Sequence, residues 1–143
     1  MREILFRGKR VDNGEWVEGD LIQLHDGRKF IVNNKFGACL DNKGNFINTE
    51  APFVCEVIPE TVGQYTGLNA NGTKIFEGDI VKTDKFSKPN KQYIVKYDLQ
   101  FGAFIGQDKD NIYFVSFDGD SDQFEIIGNI HDNEELLEGG VQG

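Results

Sequence analysis

Asp118, Asp120 and Asp122 alternate with Gly119 and Ser121 in the way the first carboxylates of a calcium loop do, so a divalent cation is the first chemistry to consider. The pattern then breaks. Gln123 stands where the sharp-turn glycine belongs, and Asn129 where the closing bidentate glutamate belongs, so the segment reads as a polar hairpin turn. Two histidines have carboxylate neighbours, His25 beside Asp26 and His131 beside Asp132. Adjacent side chains do not orient one another for proton transfer, and both pairs read as solvated turn residues. Cys39 and Cys55 sit in the apolar runs Ala38-Cys39-Leu40 and Val54-Cys55-Glu56, where burial raises a thiol's pKa and works against a reactive thiolate. There is no glycine-rich phosphate loop, nucleophile elbow or zinc-protease helix motif. The residue types therefore predict no catalytic residue, no cofactor and no metal site, and the chain is expected not to be an enzyme.

The remaining chemistry is electrostatic. Fifteen basic and 24 acidic residues give a net charge of −9, which disfavours non-specific binding to nucleic acid or to an anionic membrane. The charge is unevenly spread. Lys82, Lys85, Lys88, Lys91 and Lys96 face only Asp84 in their stretch, with Phe86 and Tyr93 between them, while residues 98–143 carry eleven acids and the single base Lys109. Aromatic side chains among cations are what single-stranded nucleic-acid binders use, which makes Lys82, Lys85, Lys88 and Lys91 the candidate nucleic-acid contacts. The composition of Lys82–Lys91, with Ser87, Pro89 and Asn90, equally describes a solvated hairpin tip, and that reading is preferred. No window of about 18 apolar residues exists, and charges interrupt the N-terminal run, so neither a membrane span nor a signal peptide is expected and the setting should be cytoplasmic.

The elements that must carry these residues are strands. Asn13-Gly14 leading to Glu18-Gly19-Asp20 recurs as Asn71-Gly72 leading to Glu77-Gly78-Asp79, each followed by an apolar pair, Leu21-Ile22 and Ile80-Val81. Phe30-Ile31-Val32 has a counterpart in Tyr93-Ile94-Val95, Phe36–Leu40 in Phe101–Ile105, and Glu56-Val57-Ile58 in Glu125-Ile126-Ile127. Five matches in order predict an internal duplication. Turn-rich spacing and abundant aromatic and β-branched residues make each copy a small β unit. The predicted fold is mainly β: two tandem SH3-type barrel subdomains over residues 1–68 and 69–138, and a frayed tail over 139–143. A short C-terminal helix follows Asp132 as N-cap, with Glu135 completing a capping box and Gly139 as the stop. In both Glu-Gly-Asp motifs the glycine is expected to make a turn and the aspartate to accept a hydrogen bond from it.

At the junction of the copies the chain reads Pro59-Glu60-Thr61-Val62-Gly63-Gln64-Tyr65-Thr66-Gly67-Leu68, then Asn71-Gly72, then Ile75-Phe76-Glu77-Gly78-Asp79-Ile80-Val81. With the opening Met1–Arg7 and the closing Ile126-Ile127-Gly128-Asn129-Ile130 before Glu134–Leu137, this resembles the YopX family of bacteriophage and prophage proteins across nearly the whole chain. The resemblance implies a small phage-encoded protein with a mainly β fold of SH3-type barrels, and it implies no catalytic residues. It does not extend to the lysines of residues 82–97. Gly63, Gly67 and Tyr65 are expected to serve close packing and turns, with the tyrosine ring buried and its hydroxyl bonded.

Without a catalytic constellation, the expected function is a non-enzymatic protein-interaction module, bound to a protein partner or to a second copy of itself. A nucleic-acid-associated protein using residues 82–97 is the alternative. Aromatic residues make up 12% of the chain, more than two small cores readily enclose, so Phe101, Phe104, Phe114 and Phe117 are the expected interaction patch.

Overall fold

The computed structural model describes residues 3–33, 42–43, 54–83, 91–110, 114–117 and 123–138. It is mainly β. The strands are β1 (Phe6–Lys9), β2 (Trp16–Gln23), β3 (Lys29–Val32), β4 (Val54–Val57), β5 (Gly63–Ala70), β6 (Thr73–Phe76), β7 (Asp79–Thr83), β8 (Lys91–Asp98), β9 (Ala103–Gln107), β10 (Phe114–Ser116) and β11 (Glu125–Asn129). A 3-10 turn spans Pro59–Thr61, and helix α1 spans Glu134–Glu138. Among the described residues all strand pairings are antiparallel and the strand orders run open, without the pairing that would close a barrel. The chain divides into two compact units, residues 1–64 and 65–143.

In the first unit the strand order is β4-β3-β2-β1, and Gly63 and Gln64 at the start of β5 extend it by pairing with Arg7 and Phe6. Alternation sorts the side chains by face. Val17, Ile31, Cys55 and Val57 form the core, with Phe6, Leu21 and Val62 packed against it. Arg7, Lys9, Trp16 and Glu18 fall on the opposite face by parity and register. Thr61, buried at the 3-10 turn, ties this unit's end to its first strand: its Oγ1 accepts the Lys9 N–H at 2.9 Å and donates to the Ile58 carbonyl at 2.6 Å.

The second unit holds the larger core, built from Ala70, Ile75, Val81, Tyr93, Val95, Val115, Phe117 and Phe124, with Leu68 and Ile126 against it. Its main sheet runs β10-β9-β8-β7-β11. The hairpin of β5 and β6 turns at Asn71-Gly72, with φ of 52° and 87°, the two positive values that a tight two-residue loop requires and that Asn-Gly supplies. Tyr65 is buried as expected and its hydroxyl donates to Asn69 Oδ1 at 2.7 Å. Gly67, at φ 88°, lies in the register shift of β5 between Tyr65 and Asn69.

The two Glu-Gly-Asp motifs differ in structure. In the second, Gly78 makes the turn into β7 at φ 89°, and buried Asp79 accepts the Phe76 N–H at 2.8 Å. In the first, Gly19 lies within β2 opposite Phe6, and a Cβ there would overlap the Val32 carbonyl, while Asp20 is exposed. The expectation of a turn at Gly19 is thus corrected: one residue fewer separates Asn13-Gly14 from Glu18 than Asn71-Gly72 from Glu77, and β2 runs through unbroken. The closing elements also differ, since Glu56 pairs with Phe30 of β3 whereas Glu125 pairs with Lys82 of β7. The counterpart match of residues 36–40 lies outside the described residues.

Helix α1 begins at Glu134, one residue later than a cap at Asp132 would give. Asn133 takes the capping place, its carbonyl accepting the Leu136 N–H at 3.0 Å and its Oδ1 accepting the Asn129 N–H at 3.1 Å. Among the described residues no helix is long and apolar enough to cross a membrane.

Candidate functional site

The most exposed large apolar side chains of the second unit gather around the turn from β8 to β9. Asp98 builds that turn: its Oδ1 accepts the N–H groups of Gln100 and Phe101 at 2.8 and 3.0 Å, and its carbonyl accepts that of Gly102 at 2.8 Å. Four residues are held outward by this arrangement, among them Leu99, 89% exposed, and Phe101, 57% exposed. The Phe101 ring meets Phe114, itself 49% exposed, at 5.1 Å between centroids. Register places Phe114 opposite Gln107, on the sheet face turned away from the core, together with Ile105 and Ser116. Ile105 is nonetheless buried there, so this outer face is apolar in the neighbourhood of the two rings.

The four phenylalanines expected to make one patch separate. Phe117 is a core residue, packed on Phe124 at 4.8 Å, and is corrected out of the surface. Phe104 is half-buried opposite Tyr97, with which it makes an edge contact at 5.2 Å. Phe101 and Phe114 remain as the exposed pair.

Of the four candidate nucleic-acid lysines, Lys85 and Lys88 lie outside the described residues. Lys82 pairs with Glu125 at 3.5 Å, its cross-strand neighbour, and Lys91 pairs with buried Asp108 at 3.2 Å. Both described lysines therefore carry carboxylate partners. Asp118, Asp120 and Asp122 also lie outside the described residues, as does Cys39, and no group of three metal-ligating side chains occurs among the described ones.

Asp26 bonds with Arg28, accepting its backbone N–H at 3.0 Å and its Nε–H at 2.8 Å, which holds the carboxyl below the usual range. The His131 N–H donates to Asn129 Oδ1 at 2.9 Å, part of the turn before α1. An open depression of about 220 Å³ in the first unit is lined by Arg10, Val11, Asp12, Val54, Cys55 and Glu56. Arg10 bonds to Asp12 at 2.6 Å and lowers its carboxyl pKa, and burial pushes the Cys55 thiol up. A thiol whose pKa is raised by burial is a weak nucleophile near neutral pH.

One feature carries no signal in motif or composition. On the outer face of β1 and β2, the Arg7 guanidinium lies 4.7 Å from the Trp16 ring centroid and the Lys9 ammonium 5.6 Å from it. Only the i, i+2 spacing of Arg7 and Lys9 opposite an aromatic residue of the next strand could have pointed to it.

The chain resembles the crystal structure of protein EF1440 from Enterococcus faecalis, with a TM-score of 0.51 and 24% sequence identity over 96% of this chain and 99% of that one, a likeness of fold. No curated protein matches it. The family model described as YopX protein matches residues 5–138, and the chain belongs to the YopX family.

Proposed function

We propose that this protein is a phage- or prophage-encoded, non-enzymatic interaction module that binds a protein partner through the exposed Phe101–Phe114 pair. The observation that carries the reading is that pair itself: two large rings left in water, Phe101 on the turn built by Asp98 and Phe114 beside it on β10, on the sheet face that buries Ile105. Aromatic anchors of this kind dominate protein interfaces. The eleven acids against one base in residues 98–143 favour a basic partner and repel a second copy presenting the same face. Lys82 and Lys91, cations suited to a self-complementary contact, already have carboxylate partners.

A duplicated SH3-type ancestry belongs to this reading. Its support is the identical register of corresponding hairpins: Leu21 pairs with Ile31 and Ile22 with Phe30, as Ile80 pairs with Ile94 and Val81 with Tyr93. In this account the module acts in the host cytoplasm and turns nothing over. The test is binding by wild type and by the double variant Phe101→Ser/Phe114→Ser to proteins of the infected host cell. Binding to a basic protein that the variant loses, while its thermal midpoint is kept, is expected. Equal binding by both would end the reading.

A further inference from the structure

We infer that Asn71-Gly72 is a site of covalent self-modification: the native fold permits succinimide formation there and blocks the same chemistry at Asn13-Gly14. Sequence does not separate the two pairs, and neither does exposure, since all four residues are exposed. The reaction begins when hydroxide removes the proton of the glycine N–H and the nitrogen attacks Cγ of the preceding asparagine. The new N–Cγ bond closes a succinimide ring, the Cγ–Nδ2 bond breaks, and Nδ2 leaves as ammonia with a proton returned by water. Water then opens the ring at either carbonyl. Breaking the N–Cγ bond gives aspartate, and breaking the original peptide bond gives isoaspartate, in which the main chain runs through the side chain.

At Asn13-Gly14 both reacting groups are engaged. The Gly14 N–H donates to the Arg10 carbonyl at 2.9 Å, inside a loop closed by the Arg10 N–H on the Glu15 carbonyl at 2.9 Å. Asn13 Oδ1 accepts the Glu15 N–H at 2.9 Å and its Nδ2 donates to Glu15 Oε2 at 3.4 Å, which turns the side chain toward Glu15. A bonded amide loses its proton only after the loop opens, as in amide exchange. At Asn71-Gly72 the nucleophile is not held in this way. The ladder of β5 and β6 ends at the pair Ala70–Thr73, and the Gly72 N–H in the tip beyond it has no acceptor among the described residues. Bringing that nitrogen onto Cγ takes rotation about the Asn71 Cα–C bond, which fraying of the hairpin tip supplies without opening the core.

The two products differ in consequence. Aspartate suits the first position of a tight loop with positive φ at both residues, which here are 52° and 87°. Isoaspartate adds a methylene to the main chain, and a two-residue loop of that type has no place for it. Register is then lost from the tip inward, in the hairpin that delivers Ala70 and Ile75 to the core of the second unit. The site thus acts as a timer on that unit, through backbone length and not through the added charge.

The experiment ages the full wild-type chain at mildly alkaline pH, folded in one sample and unfolded in urea in another, and follows both asparagines by peptide mass spectrometry. By the time half of Asn71 in the folded chain has become acid, Asn13 should still be intact, whereas the unfolded chain should react at both. Native amide exchange should show the Gly72 N–H exchanging freely and the Gly14 N–H protected. The isoaspartyl form, separated by ion exchange, should melt below Asn71→Asp, which carries the same charge on an unaltered backbone. Equal modification of the two asparagines in the folded chain, the same preference in the unfolded chain, or a folded Asn71 that stays intact while the unfolded one reacts would overturn the proposal. An isoaspartyl form that melts together with Asn71→Asp would overturn its role as a timer.

Discussion

Asp79 accepts the backbone N–H of Phe76 at 2.8 Å, closing the turn in which Gly78 sits at φ 89°. Each residue makes the other's conformation possible, because the carboxylate can reach back only if the chain reverses through a left-handed residue. Gly78→Val should therefore cost about 1–3 kcal/mol, through backbone strain and not through crowding, since the nearest atom to a Cβ there is 3.6 Å away. Asp79→Ala should cost about 1–3 kcal/mol by leaving a buried N–H without its acceptor. Thermal or urea unfolding of the two single variants reads both values, and an unchanged midpoint for either contradicts the account of the turn.

Gly19 predicts a different failure. Its backbone lies in a strand, so no left-handed strain arises, but a Cβ would collide with the Val32 carbonyl across the β2–β3 pair. Gly19→Ala should thus loosen that hairpin specifically. Amide exchange should rise for residues 20–23 and 29–32 while residues 91–107 stay protected. Uniform exchange across both units, or none, would show the clash to be absorbed elsewhere.

The phenylalanines divide by cost. Phe117→Ala should destabilise by about 3–5 kcal/mol, because that ring is buried against Phe124. Phe114→Ser, three residues earlier and half exposed, should shift the midpoint little. Reversal of this order by chemical denaturation would place the rings on the wrong faces.

How far such distinctions can be read from sequence depends on parity. Residues 114 and 117 are an odd number apart and must fall on opposite faces of a strand, so one patch containing both was excluded by pleating alone. What parity does not reveal is which face is core, and that is set by Val115 and Phe117 meeting Tyr93 and Val95. The Asn71-Gly72 hairpin and the Gly78 turn were legible because their φ values demand those residues. The matching letters at Gly19 misled, since glycine serves equally a turn and a close backbone approach. The Arg7–Trp16–Lys9 group depends on cross-strand register, which no local pattern states.

Burial raises the pKa of both Cys55 and Tyr93. For an acid held protonated by the fold, the unfolded chain loses its proton first as pH rises, so stability is complete below the unfolded pKa values of about 8.5 and 10 and falls above them. Cys55→Ala should flatten the first part of that alkaline decline. In a Cys39→Ser background, Cys55 should react with a thiol reagent near neutral pH only as fast as the protein opens. Immediate reaction in the native state would contradict its burial.

The central claim is that Phe101 and Phe114 contact a protein partner. A photo-crosslinking amino acid placed at position 101, with position 73 on the exposed start of β6 as control, tests it in infected cells. The account predicts one discrete adduct to a basic protein from position 101 and none from position 73. No adduct from position 101, or the same adducts from both positions, would contradict it.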